Sequence, residues 1–168
     1  MQALEVVSED PRWEAAGLED IALRAVAATL ARLGVDPDRA EVTVMGCDDA
    51  RIAVLNGDFR AKPTPTNVLS WPAEERGADR PGGAPQPLVA GPDGLFPLGD
   101  MALAFETCAA EAAAGGLDLT DHATHLVVHA TLHLLGYDHI HDADAALMEG
   151  IETEILGKMG LHDPYREE

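Results

Sequence analysis

The chain has 168 residues, of which 46% are hydrophobic and 24% charged, with a formal net charge of −19. That length suits one domain with a proper hydrophobic core, and with only 4% aromatic residues the core must rest on Ala, Leu, Val and Ile, as in a helix-rich protein. The negative charge argues against a broad basic face for nucleic acid, since affinity for a phosphate backbone comes largely from Lys and Arg, and it leaves any RNA affinity to a few local cations, a metal ion or a docking partner.

Cys47 and Cys108 are too few and too far apart for a disulfide framework or a zinc ribbon, so two reduced, buried thiols in the cytoplasm are expected. The first residues are acidic and alternating rather than basic and then apolar, and no stretch is apolar enough to cross a bilayer. Neither a secretory signal nor a membrane span is therefore expected.

Taken in chain order, residues 3–7 predict a short strand, and Asp10 with Pro11 a turn. Residues 18–33 predict an amphipathic helix, with Leu18, Ile21, Ala25, Leu30 and Leu33 at helical spacing and Gly34 as its stop. Val42 and Val44 alternate in a second strand at 41–47, after which Asp48 or Asp49 caps a helix running to Phe59. Arg60 and Lys62 follow as close neighbours ahead of a Pro/Thr turn and a strand at 67–71. Such a pair reads as a solvated loop by itself, and beside a metal site as cations for phosphate oxygens.

Residues 73–97 are rich in Gly, Pro and Ala and have no period, which predicts a mobile insertion or long hairpin connection inside a single domain spanning 1–168. A buried or half-buried strand is expected at 98–106, an Ala-rich helix at 107–114, a longer helix at 119–135 and a last helix at 142–157. Met148, Ile151 and Ile155 form the apolar side of that last helix, and Glu149, Glu152 and Glu154 are assigned to its solvated face. The resulting fold class is α+β, a small mixed sheet of about four strands with about five helices, carrying a metal site at a helix end and the following turn.

That site is the run HATLHLLGYDH, 129–139. His129 and His133 stack on one face of a helix. Gly136 ends the helix and turns the chain, because it adopts left-handed backbone angles without steric cost, and His139 is brought back toward the pair. Three neutral imidazoles around one zinc ion leave a fourth position open, as in catalytic rather than structural sites. The spacing is also the ligand skeleton of metzincin proteases, but Ala130 stands where those carry a general-base Glu, which disfavours peptide hydrolysis. His122 and His125 share the same narrow arc of the helix. His125, Asp138 and Lys62 are assigned to the surroundings of the ion, either holding a ligand ring from behind or lining the cleft, with a turn-stabilising role equally open to Asp138. His122 is given a structural role near the helix start, with Thr120 or Asp121 as N-cap.

At these residues the chain resembles the YbeY family, bacterial endoribonucleases also described as rRNA maturation factors. The blocks that carry the resemblance are HLVVHATLHLLGYDH (125–139), Leu55, Asn56 and Arg60 with PTNVLSWP (65–72), and LGDMALA (98–104). Met148, Glu149, Glu152, Ile155 and Leu156 fall where that family has its closing helix. The resemblance implies a cytoplasmic, metal-dependent RNase acting on single-stranded RNA in maturation of the small-subunit rRNA 3′ end and in ribosome quality control. Its partners would be ribosomal RNA and the small subunit with its proteins. On this basis His129, His133 and His139 bind zinc and Arg60 is the functional arginine. Ala130 in place of the usual Gly suits a helix, whereas Asn67 in place of the usual Asp weakens any acid–base role there. The nucleophile stays open between water activated by the ion and the ribose 2′-OH. Two rival readings also stand: an assembly factor with a structural zinc, and a protease or amidohydrolase using the same ligands.

Overall fold

In the computed structural model, the described residues are 4–60, 66–73, 85, 90–137 and 142–161. Four strands pair in the order β1 (Leu4–Ser8), β2 (Ala40–Cys47), β4 (Phe96–Ala104), β3 (Val68–Pro72), parallel except where β3 runs antiparallel to β4. The sheet is thus mixed, as expected. Alternation sends Val42 and Val44 of β2 to the main core, while Met45 and Cys47 face a smaller cluster with Ile52, Leu69, Ala102 and Ala104 on the other side.

Strand β4 breaks this parity, since Leu98, Met101 and Leu103 all join the main core. The register explains it: Glu41 pairs with Pro97 but Val42 pairs with Gly99, so Leu98 is the extra residue of a β-bulge. Gly99 sits beside it at φ +135, and a Cβ there would lie 2.1 Å from the Trp71 carbonyl oxygen on β3. Gly99→Ala is accordingly expected to lower stability by about 3 kcal/mol or more, through backbone strain and the lost β3–β4 contact. Urea denaturation checks this, and a change under about 1 kcal/mol would contradict it.

Among the described residues six α-helices pack around the sheet: α1 (Pro11–Ala15), α2 (Leu18–Arg32), α3 (Asp49–Arg60), α4 (Phe105–Ala114), α5 (Leu119–Leu134) and α6 (Asp142–Lys158). The Asp10–Pro11 turn proves to start a helix. Asp10 caps α1 by accepting the Arg12 N–H at 2.9 Å, Pro11 takes the first helical position, and Trp13 is fully buried. The Trp13 indole N–H donates to the carbonyls of Cys47 at 3.0 Å and Leu103 at 3.1 Å, joining the ends of β2 and β4. The expected strand at 98–106 is shifted: Phe96 and Pro97 already belong to β4, and Phe105 and Glu106 open α4. Asp48 caps α3, with its carboxylate 2.8 Å from the Arg51 N–H. Asp49 instead accepts the Thr107 N–H of α4 at 3.0 Å while its own N–H donates to Glu106 at 3.1 Å, so the two helix starts cap each other.

Most of the 73–97 insertion lies outside the described residues. Its last part forms a turn in which Gly91 donates to the Leu95 carbonyl at 2.8 Å, and Arg39 holds the Gly94 carbonyl at 2.9 Å. Helix α5 packs against α2, α4, α6, β3 and β4, which makes it the central helix. Ala123, Leu126, Val127, Val128, Ala130, Thr131, Leu132 and Leu134 are all buried on it, and its histidines form the polar stripe.

Both cysteines are buried thiols, as expected. Burial first, and then nearby carboxylates such as Glu9 and Glu111, push the Cys47 and Cys108 thiols from 9.0 up to about 12. Unfolded thiols ionise near 9.0 while the folded ones keep their protons, so this contribution to stability is full below pH 9 and lost as pH rises toward 12. The urea midpoint should therefore fall above about pH 9, and fall less steeply in Cys108→Ala. Equal alkaline slopes in the two proteins would count against the assignment.

Candidate metal centre

The centre is built on α5 and completed by α6. His122, His125, His129 and His133 follow one another along one face of α5, with successive ring centroids 6.4, 6.2 and 4.6 Å apart. Asp118, not Thr120 or Asp121, occupies the N-cap position, so the helix starts at Leu119 as the periodicity predicts. At the other end Gly136 has φ 103, its N–H donates to the His133 carbonyl at 3.0 Å, and the Tyr137 N–H donates to the Leu132 carbonyl at 3.0 Å. This is a Schellman closure. It places the Tyr137 carbonyl 3.0 Å from His133 Nδ1.

A carbonyl can only accept, so His133 carries its proton on Nδ1 and presents a lone pair at Nε2. Glu152 of α6 does the same for His129, whose Nδ1 it meets with Oε1. The second oxygen, Oε2, accepts from His125 Nε2 at 3.1 Å. His129 Nε2 and His133 Nε2 consequently face each other at 3.0 Å. Two lone pairs at that separation repel unless a proton or cation lies between them. Two nitrogens each about 2.0–2.1 Å from a tetrahedral zinc stand about 3.3 Å apart, so the pair fits such an ion.

Glu152 is the functional residue that sequence reading misplaced. It belongs to the core, with none of its surface exposed, whereas Glu154 is exposed and paired with Arg32 at 2.7 Å. The signal was present: Glu152 lies four residues after Met148 and three before Ile155, inside the apolar stripe rather than opposite it. His125, His129 and Glu152 also form a group whose ligand atoms all lie within 4.8 Å of one another and which could hold a metal ion.

His122 has the structural role expected of it, 2.9 Å from Glu111 of α4, and Asn67 donates to the same carboxylate oxygen at 3.0 Å. Asn67 thereby ties β3 to α4 and α5. His139, Asp138 and Lys62 lie outside the described residues, and so does the side chain of Arg60, the last residue of α3.

The family profile described as Endoribonuclease YbeY matches residues 5–160. The chain belongs to the YbeY family. Among relatives named Endoribonuclease YbeY, that of Ruegeria pomeroyi is 58% identical over 164 residues, covering 96% of this chain and 97% of its own. The Dinoroseobacter shibae relative is 57% identical, covering 96% and 90%. The fold is also similar to the solution structure of TM1509 from Thermotoga maritima, with a TM-score of 0.55 at 18% identity over 98% of this chain and 99% of that one. In this YbeY chain no described helix is long and apolar enough to cross a membrane.

Proposed function

We propose that the protein is a cytoplasmic, single-domain, zinc-dependent endoribonuclease that cuts single-stranded RNA during maturation of the small-subunit rRNA 3′ end and in ribosome quality control. The observation that carries this reading is the pair of Nε2 atoms 3.0 Å apart on α5, each ring held from behind by an acceptor. His129 and His133 would hold the ion with His139, and the ion would supply Lewis acidity to water or to a phosphoryl oxygen. The chain's own contribution is orientation. Glu152 and the Tyr137 carbonyl keep each Nδ1 protonated, so the opposite nitrogens stay available as ligands. Arg60, at the end of α3, would hold the phosphate and offset its developing charge. With a net charge of −19 the surface does not attract RNA at long range, so substrate would come from the ribosome's small subunit and its proteins rather than from free solution.

The test is cleavage of a labelled single-stranded rRNA fragment by the wild type and by Arg60→Ala, with zinc content measured in both. Arg60→Ala is expected to keep its zinc and cleave about 10²- to 10³-fold more slowly. An unchanged rate would remove Arg60 from the reaction. The acidic surface favours a second reading, an assembly factor with a structural zinc that docks on basic ribosomal proteins. Absence of cleavage by a zinc-loaded wild type that still co-sediments with small subunits would select it.

A further inference from the structure

Glu152 stands out because a carboxylate with no exposure is costly to keep in a protein already carrying a net charge of −19. It lies in the apolar stripe of α6, between Met148 and Ile155, where an aliphatic residue would pack without that cost. Two ring nitrogens meet the carboxylate, His129 Nδ1 on Oε1 and His125 Nε2 on Oε2. One carboxylate therefore bridges two successive turns of α5.

We infer that Glu152 is a positioning residue for the metal: it fixes the His129 tautomer and ring orientation and uses His125 as its own brace, without ligating the ion. Three observations fit together. The Glu152 contact is on the Nδ1 edge of the His129 ring, while the edge that faces His133 is Nε2. The His133 ring is held in the same sense by the Tyr137 carbonyl, so both rings are prepared alike from opposite sources. Finally, the two carboxylate oxygens lie on separate histidines, which locks the side chain against rotation. An outer carboxylate of this kind also raises the basicity of the ligand nitrogen. His125, 21% exposed at its side chain, thereby braces Glu152 on the side away from His129.

The inference rests on His129 and His133 being metal ligands, and the experiment separates the two claims. Zinc affinity is measured by chelator competition for the wild type, Glu152→Gln, His125→Ala and His133→Ala, and cobalt spectra report the coordination of each. Gln keeps the shape of Glu but has one acceptor oxygen for two rings, so one ring must turn over its tautomer. The expected results are a loss of about 10- to 100-fold in Glu152→Gln with an unchanged cobalt spectrum, and a smaller loss in His125→Ala. His133→Ala should lose binding altogether.

If His133→Ala binds as the wild type does, the ligand reading fails. If His133→Ala fails to bind while Glu152→Gln binds normally, only the role of Glu152 fails. If Glu152→Gln still binds cobalt but with a changed spectrum, Glu152 is a ligand and the positioning role is overturned. A nitrogen NMR spectrum of the wild-type imidazoles covers the case in which Glu152→Gln does not fold. His129 should carry its proton on Nδ1, and a proton on Nε2 would refute the inference.

Discussion

His133→Ala is expected to abolish stoichiometric zinc binding and RNA cleavage while leaving the apo-protein folded. Alanine is the best helix former, and the site lies one residue from the end of α5, so the backbone loses nothing there. Among the described contacts the variant gives up the hydrogen bond to the Tyr137 carbonyl. Its removal costs about 1 kcal/mol, because the half-exposed loop can be rehydrated. The large effect appears only with the ion present. A site saturated at about 1,000 times its dissociation constant stabilises the fold by about 4 kcal/mol. Thermal melts should thus separate the two proteins in zinc and bring them together in chelator. Equal stabilisation by zinc would show that the ion binds elsewhere, with the grouping of His125, His129 and Glu152 the first place to look.

Trp13→Ala should produce the largest loss of stability at any position remote from the centre. The side chain is fully buried, its ring lies 5.3 Å from that of Phe105, and its indole N–H serves the carbonyls of both Cys47 and Leu103. Truncating a buried tryptophan costs about 3–5 kcal/mol by cavity formation, and here the Cys47 and Leu103 carbonyls also lose the indole as a donor. Against a typical total of about 5–15 kcal/mol the apo-protein would approach its unfolding threshold. The melting temperature should fall by about 10 °C or more. Space at this site is already full, since a Cβ on Gly46 would lie 2.6 Å from the indole. A fall of only a few degrees would mean that α1 is dispensable.

The legibility of this fold follows the range of the interactions that make it. Helix α5 was readable because its signals are local: apolar spacing, a glycine at the C′ position and histidines one turn apart. The same holds for α2 and for Val42 and Val44 of β2, whose helical phase or alternation reflects burial of one face, whereas β4, buried on both faces, was legible only as an apolar run and its bounds were shifted. Helix α1 was hidden because Asp10 followed by Pro11 is equally a turn and a helix start, and five residues carry too little period to decide. The bulge at Leu98 left no local trace except Gly99, whose need for an unusual φ depends on Trp71 across the sheet.

Glu152 was misplaced for a different reason. Among neighbouring glutamates a charged residue is ordinarily solvated, and the two rings on α5, 23 and 27 residues earlier in the chain, help to make its burial tolerable. The shared cap between Asp49 and Glu106 was equally invisible, since it joins residues 57 apart.

That separation along the chain between α5 and α6 has a consequence for local opening. A single helix can detach without global unfolding, and release of α6 would take Glu152 away from His129 and His125 while α5 stays in place. His133 would keep the Tyr137 carbonyl, which belongs to the end of its own helix, so the two rings would no longer be held alike. Whatever affinity the centre has for a cation is thereby coupled to the docking of α6.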